Sequence, residues 1–383
     1  MKFIKPETAV WRTKEWLGII KNLLCARVSQ GQAIDELQHY LAQAYPESSV
    51  MLLNSARAGL ALALGVFQQK VPTKCEVIIP EYICDSVPKV ILSCGLTPIF
   101  VSVKKDLNLD VSKLEENLNN NTLAVILPHM YAKAADIAQA EAMLMAKGVF
   151  LIDDAAQVAG VEINNKPLGS FGDVGVLSFA QAKTIVTGVR GSGGVLFINN
   201  KKLLPLFNLQ TLPKNTGRAF QLLHFLFAYK WQGWAKKLDY YLQRLHAKLF
   251  KDKPNDYYSE IKQISNLEAD IALAQFSSLS SRIQQSKEII AQYSQALRSC
   301  EGVLLVQVDR DDLYLTRLII QSQVTPPKQL AEQLIKQGIK TKFVYGTGSK
   351  VYDGSYCSGL LELPLQGLKL SQIEKVVQAV VTH

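Results

Sequence analysis

The chain lacks any run of about 18 or more apolar residues, so no ordinary membrane-spanning helix is expected. Its opening residues, MKFIKPETAVWRTKEW, have no apolar core of the kind a secretion signal needs. Cysteines are few: six, at positions 25, 75, 84, 94, 300 and 357. None forms a CxxC or a Cys/His cluster, so no metal site is expected. In a chain this long without a signal they read as reduced thiols, which places the protein in the cytoplasm. There is no internal repeat and no low-complexity segment. Charged residues make up only 20% against 48% hydrophobic, which excludes a disordered chain. The 383 residues suit two domains around substantial cores.

What is present is an alternation. EVIIP (76–80), TPIFVSV (97–103), LAVILP (123–128), GVFLID (148–153), VGVLSF (174–179) and GVLFI (194–198) read as strands. Several are nearly unbroken apolar runs, as expected of strands covered on both faces. Helical patterns lie between them, at Arg57–Gln69, Asp85–Cys94 and Ile137–Lys147. This order predicts an α/β sheet, largely parallel, with ligands bound at the carboxyl ends of its strands. After KDKPND (251–256), which reads as a linker, a long helical stretch over Asn266–Arg298 is expected. The strands VLLVQV and YLTRLIIQ and two further helices complete a smaller α+β unit. The expected division is a large domain over 1–250 and a small one over 257–383.

One segment concentrates chemistry. In LIDDAAQVAG an apolar strand ends in two aspartates. In VLSFAQAKTIVTGVRGSGGVLF another ends in Ser-Phe, with a lysine five residues after the serine and a glycine-rich turn beyond. A carboxylate, a hydroxyl and an amine at neighbouring strand ends suit pyridoxal 5′-phosphate (PLP), which needs an amine for a Schiff base and a carboxylate for its pyridine nitrogen. The bland alternative is a surface lysine and a capping aspartate. Upstream, LLNSARAGLALALGVF runs from a strand-like end into a helix, whose free N–H groups suit a phosphate. Ser55 would add a hydroxyl and Arg57 a charge, or Ser55 is simply an N-cap.

These motifs, in this order, resemble the DegT-type sugar-nucleotide aminotransferases, members of the fold-type I PLP superfamily that includes aspartate aminotransferase. NSARAGLALAL matches that family's phosphate segment, VIIPEYICDSV its Pro-x-Tyr-Thr segment, and LPHMYAKAADI its His-Leu-Tyr-Gly segment. LIDDAAQ matches Glu-Asp-Ala-Ala-Gln, SFAQAKTIVTG the Ser-Phe-x-x-x-Lys spacing, ISNLEADIALAQF the helix opening the small domain, and LELPLQGLKLSQIEKVVQAV the C-terminal segment. The resemblance implies a three-layer large domain, a smaller C-terminal domain and a homodimer. It implies an enzyme that moves an amino group from an amino acid, glutamate being expected, to a keto-sugar nucleotide by way of pyridoxamine phosphate. Lys183 would form the Schiff base and Asp154 would hold the pyridine nitrogen protonated. Gln157 would sit against the ring near its 3′-oxygen. Ser178, Ser55 and the N–H groups of Ala56 and Arg57 would hold the phosphate. His129, Tyr131 and Arg190 would face substrate, and Arg57, Arg190 and Arg317 are each candidates for a donor carboxylate, although a surface arginine is the plainer reading of any one of them. A satisfied histidine at a strand end is the plainer reading of His129.

The chain departs from the family at several points. Cys84 stands where the family places Phe, Trp or Thr over the ring, with Tyr82 a substitute. Ile261 stands where the partner subunit's Asn reaches the phosphate. Ala132 replaces the glycine after the His-x-Tyr motif. A sugar dehydratase is an alternative, although family dehydratases typically carry histidine in place of the lysine. A non-catalytic protein of the same fold is another.

Most of the net charge of +9 sits in an insert at about 205–250. Residues 214–253 hold nine Lys or Arg and two Asp, a net of +7. Aromatics and leucines alternate with these lysines. A helical segment packed on the sheet or on a partner is favoured over a membrane-surface helix. Nucleic acid is not expected, because no reading motif accompanies the charge.

Overall fold

A computed structural model describes residues 3–6, 11–188, 192–207, 212–216, 218–227, 235, 237–238, 240–242, 244–245, 260–298, 300–310, 313–343, 345, 360–365 and 367–382. Two helices come first, α1 (Thr13–Leu24) and α2 (Ala33–Ala44). Strands and helices then alternate: β1 (Ser49–Leu53), α3 (Ala56–Lys70), β2 (Glu76–Pro80), α4 (Ser86–Ser93) and β3 (Thr97–Val101). Next are α5 (Leu114–Asn117), β4 (Thr122–Pro128), α6 (Ile137–Lys147) and β5 (Phe150–Asp154). A short hairpin of β6 (Glu162–Ile163) and β7 (Lys166–Pro167) leads to β8 (Val174–Ser178) and β9 (Gly194–Ile198).

Seven of these strands form one sheet in the order β1-β9-β8-β5-β4-β2-β3. The pairings from β3 through to β8 are parallel. β9 runs antiparallel to both β1 and β8. The apolar runs explain the layering. β4, TLAVILP, is buried at all seven positions because helices cover both faces. Val125 and Leu127 meet α2 and α6 on one face, while Ala124 and Ile126 meet α3 and α4 on the other. Fully burying Val125, Ile126 or Leu127 contributes about 1.5–3 kcal/mol over leaving it in water.

The chain continues through α7 (Arg218–Phe225), α8 (Asn266–Phe276) and the 19-residue α9 (Leu279–Leu297). A second, antiparallel sheet follows. It is built of β10 (Val303–Val306), β11 (Leu318–Ser322), β12 (Lys342–Phe343) and β13 (Leu360–Leu363), in the order β10-β11-β13-β12. Helices α10 (Pro327–Lys336) and α11 (Leu370–Val381) cover it, around a core of Leu318, Ile320, Leu334, Leu361 and Val376.

The large core extends past the expected boundary at 257. Ser265 caps α8, accepting from the Glu268 N–H, and Ala269, Ala272 and Phe276 pack into the same cluster as α2. α9 spans both bodies: Leu279 and Ile283 pack on the large core, while Ile289, Ile290, Tyr293 and Leu297 enter the small one. The linker KDKPND lies outside the described residues.

Candidate active site

The strand order brings the expected residues to one edge. β1, β9, β8 and β5 are neighbours, and β1, β8 and β5 point the same way. Their carboxyl ends therefore place Ser55, Ser178 and Asp154 side by side. Ser55 is the N-cap of α3: its Oγ accepts the Ala58 N–H at 3.1 Å. Ala56 and Arg57 form the first turn, where helical N–H groups lack an intrahelical acceptor. β9 starts hard against this turn. A Cβ on Gly194 would lie 2.4 Å from the Ala56 nitrogen, so no other residue fits. Gly193, at φ +110°, donates to the Asn54 carbonyl at 2.8 Å and accepts from the Phe179 N–H at 3.0 Å. Ser178 keeps its hydroxyl half-exposed, with one long contact of 3.4 Å from the Ala180 N–H.

The two aspartates of β5 divide by strand alternation, since successive side chains point to opposite faces. Asp153 shares its face with Leu151 and is fully buried. One oxygen accepts the Gly169 and Phe171 N–H groups at 2.6 and 3.1 Å. The other meets His129 Nε2 at 2.8 Å. His129 Nδ1 accepts from the Ala135 N–H at 3.0 Å, which puts the ring proton on Nε2. His129 is thus satisfied at both nitrogens and wholly buried.

Asp154 is the other kind of carboxylate. Among the described residues its side chain has a single backbone donor, the Ala156 N–H at 3.1 Å. Burial pushes its pKa up from the usual carboxylate value; the charge of Lys183 pulls the other way, followed by the Ala156 bond and His129. Lys183 therefore stands near Asp154, on a turn set by Ala182 in the left-handed region at φ +63°. Thr184 Oγ1 donates to the Gln157 carbonyl at 2.9 Å, tying the lysine loop to the exit of β5. Gln157 is buried; its Nε2 points to Met130 Sδ at 3.8 Å and its Oε1 has no protein partner.

Tyr131 also lies within the protein. Its hydroxyl pairs with the Tyr82 hydroxyl at 2.6 Å, and its ring stacks on Tyr345. Tyr82 is consumed by this aromatic cluster. Cys84 is half-buried, with its Sγ 3.1 Å from Ser86 Oγ. Arg317, a candidate for a donor carboxylate, instead pairs with buried Glu362 at 2.9 Å, its guanidinium 5.4 Å from the Tyr131 ring centroid. Ile261 packs against the core around α3 of its own chain, held there because Asn54 bonds the backbone of Glu260 and Lys262. Arg190 lies outside the described residues. Sequence reasoning did not find Glu362 or the anchoring role of Asp153. The signal for Glu362 was a lone acid inside LLEL, which burial forces to find a cation.

The start of the insert is structural. Leu222, Phe225 and Leu226 are buried against Trp11, Ile19 and Ile271. Farther on, Leu238, Tyr240, Tyr241 and Leu245 are exposed. Much of 228–259 lies outside the described residues. Among the described residues no helix is long and apolar enough to cross a membrane.

The sequence is similar to GDP-perosamine synthase of Escherichia coli O157:H7, at 26% identity over 319 residues, 83% of this chain and 77% of that one. It is 30% identical over 176 residues to GDP-perosamine synthase of Vibrio cholerae, an alignment that spans 45% of this chain and 46% of the other. The fold is that of the PLP form of the sugar aminotransferase Spr1654 from Streptococcus pneumoniae, described as putative: TM-score 0.74 and 17% identity over the whole of this chain and 98% of that one. The sequence profile of the DegT/DnrJ/EryC1/StrS aminotransferase family matches residues 19–365, and the chain belongs to that family of sugar aminotransferases.

Proposed function

We propose that the protein is a PLP-dependent aminotransferase that carries an amino group from glutamate to a keto-sugar nucleotide. The observation that carries this reading is Asp154: a carboxylate whose charge burial disfavours, with the Lys183 charge beside it as the largest opposing influence. A protonated pyridine nitrogen is the kind of cation such a site needs. The unpartnered Oε1 of Gln157 and the glycine-bounded turn between Ser55 and Ser178 fit the rest of the cofactor.

Bound PLP would supply an electron sink for the carbon that loses its proton. The protein's own groups do the remainder. Ser55, Ser178 and the first turn of α3 bind the phosphate, where the helix dipole favours an anion. Asp154 keeps a proton on the pyridine nitrogen, and its charged form is favoured there by the opposite charge. Asp153 and His129 fix the end of β5, so that Asp154 is oriented by the sheet. The Lys183 amine would hold the cofactor and, when free, would carry the proton taken from the substrate carbon.

Purified protein should absorb in the visible. Borohydride reduction and peptide mapping should then find the phosphopyridoxyl group on Lys183. Labelling of another lysine, or of none, overturns the reading. A panel of keto-sugar nucleotides assayed with glutamate identifies the acceptor, and an inactive panel with labelled Lys183 would refute only the substrate class.

A further inference from the structure

The turn after β4 is held in an uncommon conformation. Tyr131 and Ala132 both lie in the left-handed region, at φ 57° and 74°, and neither is glycine. Strain of this kind persists where surroundings over-determine it, and it concentrates at functional sites. The surroundings come from two directions. On the sheet side, the His129 N–H donates to the Asp154 carbonyl at 3.3 Å, and Gln157 Nε2 reaches Met130 Sδ at 3.8 Å. From the small domain, Gln307 Nε2 donates to the Met130 carbonyl at 2.9 Å and the Thr316 N–H to the Tyr131 carbonyl at 2.9 Å. Arg317, on the threshold of β11, lies over the Tyr131 ring and is fixed by Glu362 of β13. Tyr82 grips the far end of Tyr131.

One turn therefore touches Asp154 and Gln157 on one side and Gln307, Thr316 and Arg317 of the small domain on the other. A buried ion pair is weak evidence for stability, because desolvation offsets its attraction. This one is placed where it can act on geometry. We propose that Arg317 and Glu362 are positioning residues: through Tyr131 and the Met130–Ala132 turn, the seated small domain holds Gln157 and the end of β5 in place for the cofactor ring. The proposal rests on the PLP reading and concerns residues that do not themselves touch the reacting atoms.

The test replaces the pair together, Arg317→Met with Glu362→Met, so that neither charge is left buried alone. Tyr131→Phe, which keeps the ring and loses the Tyr82 bond, is the second variant and serves if the first does not fold. Each is compared with wild type for phosphopyridoxyl labelling of Lys183, circular dichroism of the visible cofactor band, and kcat against KM for the amino donor. The dichroic band reports ring orientation, which a purely structural pair would not move. The expected result is labelling retained, the dichroic band reduced by about half, and kcat lowered about tenfold with KM nearly unchanged, as for a small misplacement of reacting groups. Variants that fold, label, and match wild type in dichroism and kcat overturn the proposal alone. Wild-type protein that does not label at Lys183 overturns the PLP reading and the proposal with it.

Discussion

Replacing Asp153 by asparagine changes one oxygen to an amide nitrogen, yet the structure gives it a large cost. Three N–H donors converge on this carboxylate: His129 Nε2, Gly169 N and Phe171 N. Asparagine offers one acceptor oxygen. If that oxygen faces the two backbone groups, the amide NH2 meets the His129 Nε2–H. The imidazole cannot retreat to its other tautomer, because Nδ1 already accepts from Ala135. If the amide flips, the NH2 faces both backbone donors instead. Either way buried donors are left opposed, and charge-assisted bonds of about 1.5–3 kcal/mol each become neutral or are lost. A cost of about 3–5 kcal/mol follows, a large share of the roughly 5–15 kcal/mol that a folded protein has. Urea denaturation of the cofactor-free protein reads it directly. Asp153→Asn within about 1 kcal/mol of wild type would refute the assignment of the first aspartate as the anchor. Asp154→Asn should behave oppositely. The folded pKa of Asp154 is raised above the ordinary 3.8, so folding favours its protonated form. Wild type therefore gives up stability as pH climbs from the unfolded value through the folded one, and the asparagine variant does not. At neutral pH without cofactor Asp154→Asn should be at least as stable as wild type, while amino transfer is largely lost.

Gly194→Ala should disrupt the start of α3, since its Cβ would lie 2.4 Å from the Ala56 nitrogen; a variant with wild-type PLP affinity and melting temperature contradicts the close approach. Light scattering at micromolar concentration should give a homodimer, and a monomer would overturn that expectation. Vesicle binding should stay at background whether the lipid is neutral or anionic, and Lys236→Glu with Lys237→Glu should not change it; salt-sensitive binding lost in that double variant would reverse the structural reading of the insert.

The sequence by itself determined the sheet and which residues stand at its edge. Unbroken apolar runs such as LAVILP and GVLFI can only be buried between two layers, so β4 and β9 were legible. The placement of Asp154 and Ser178 at strand ends and of Ser55 at a helix start was legible too, because these are local features with fixed spacing. Tertiary structure decided what local pattern cannot carry. Both aspartates of LIDD are acidic and buried, and the loop at 168–171 and His129 make the first an anchor, while the second accepts from the Ala156 N–H. From sequence Arg317 is one of three candidates for a donor carboxylate, with a surface arginine the plainer reading; in the structure it is buried, and Glu362, distant in sequence and adjacent in the sheet, pairs with it. Position 132 reads as a lost glycine, and the structure shows alanine held at φ 74° by contacts from residues around 307 and 316. α8 reads as part of the small domain by order along the chain, but its apolar face is completed by α2, and burial of that face outweighs sequence proximity.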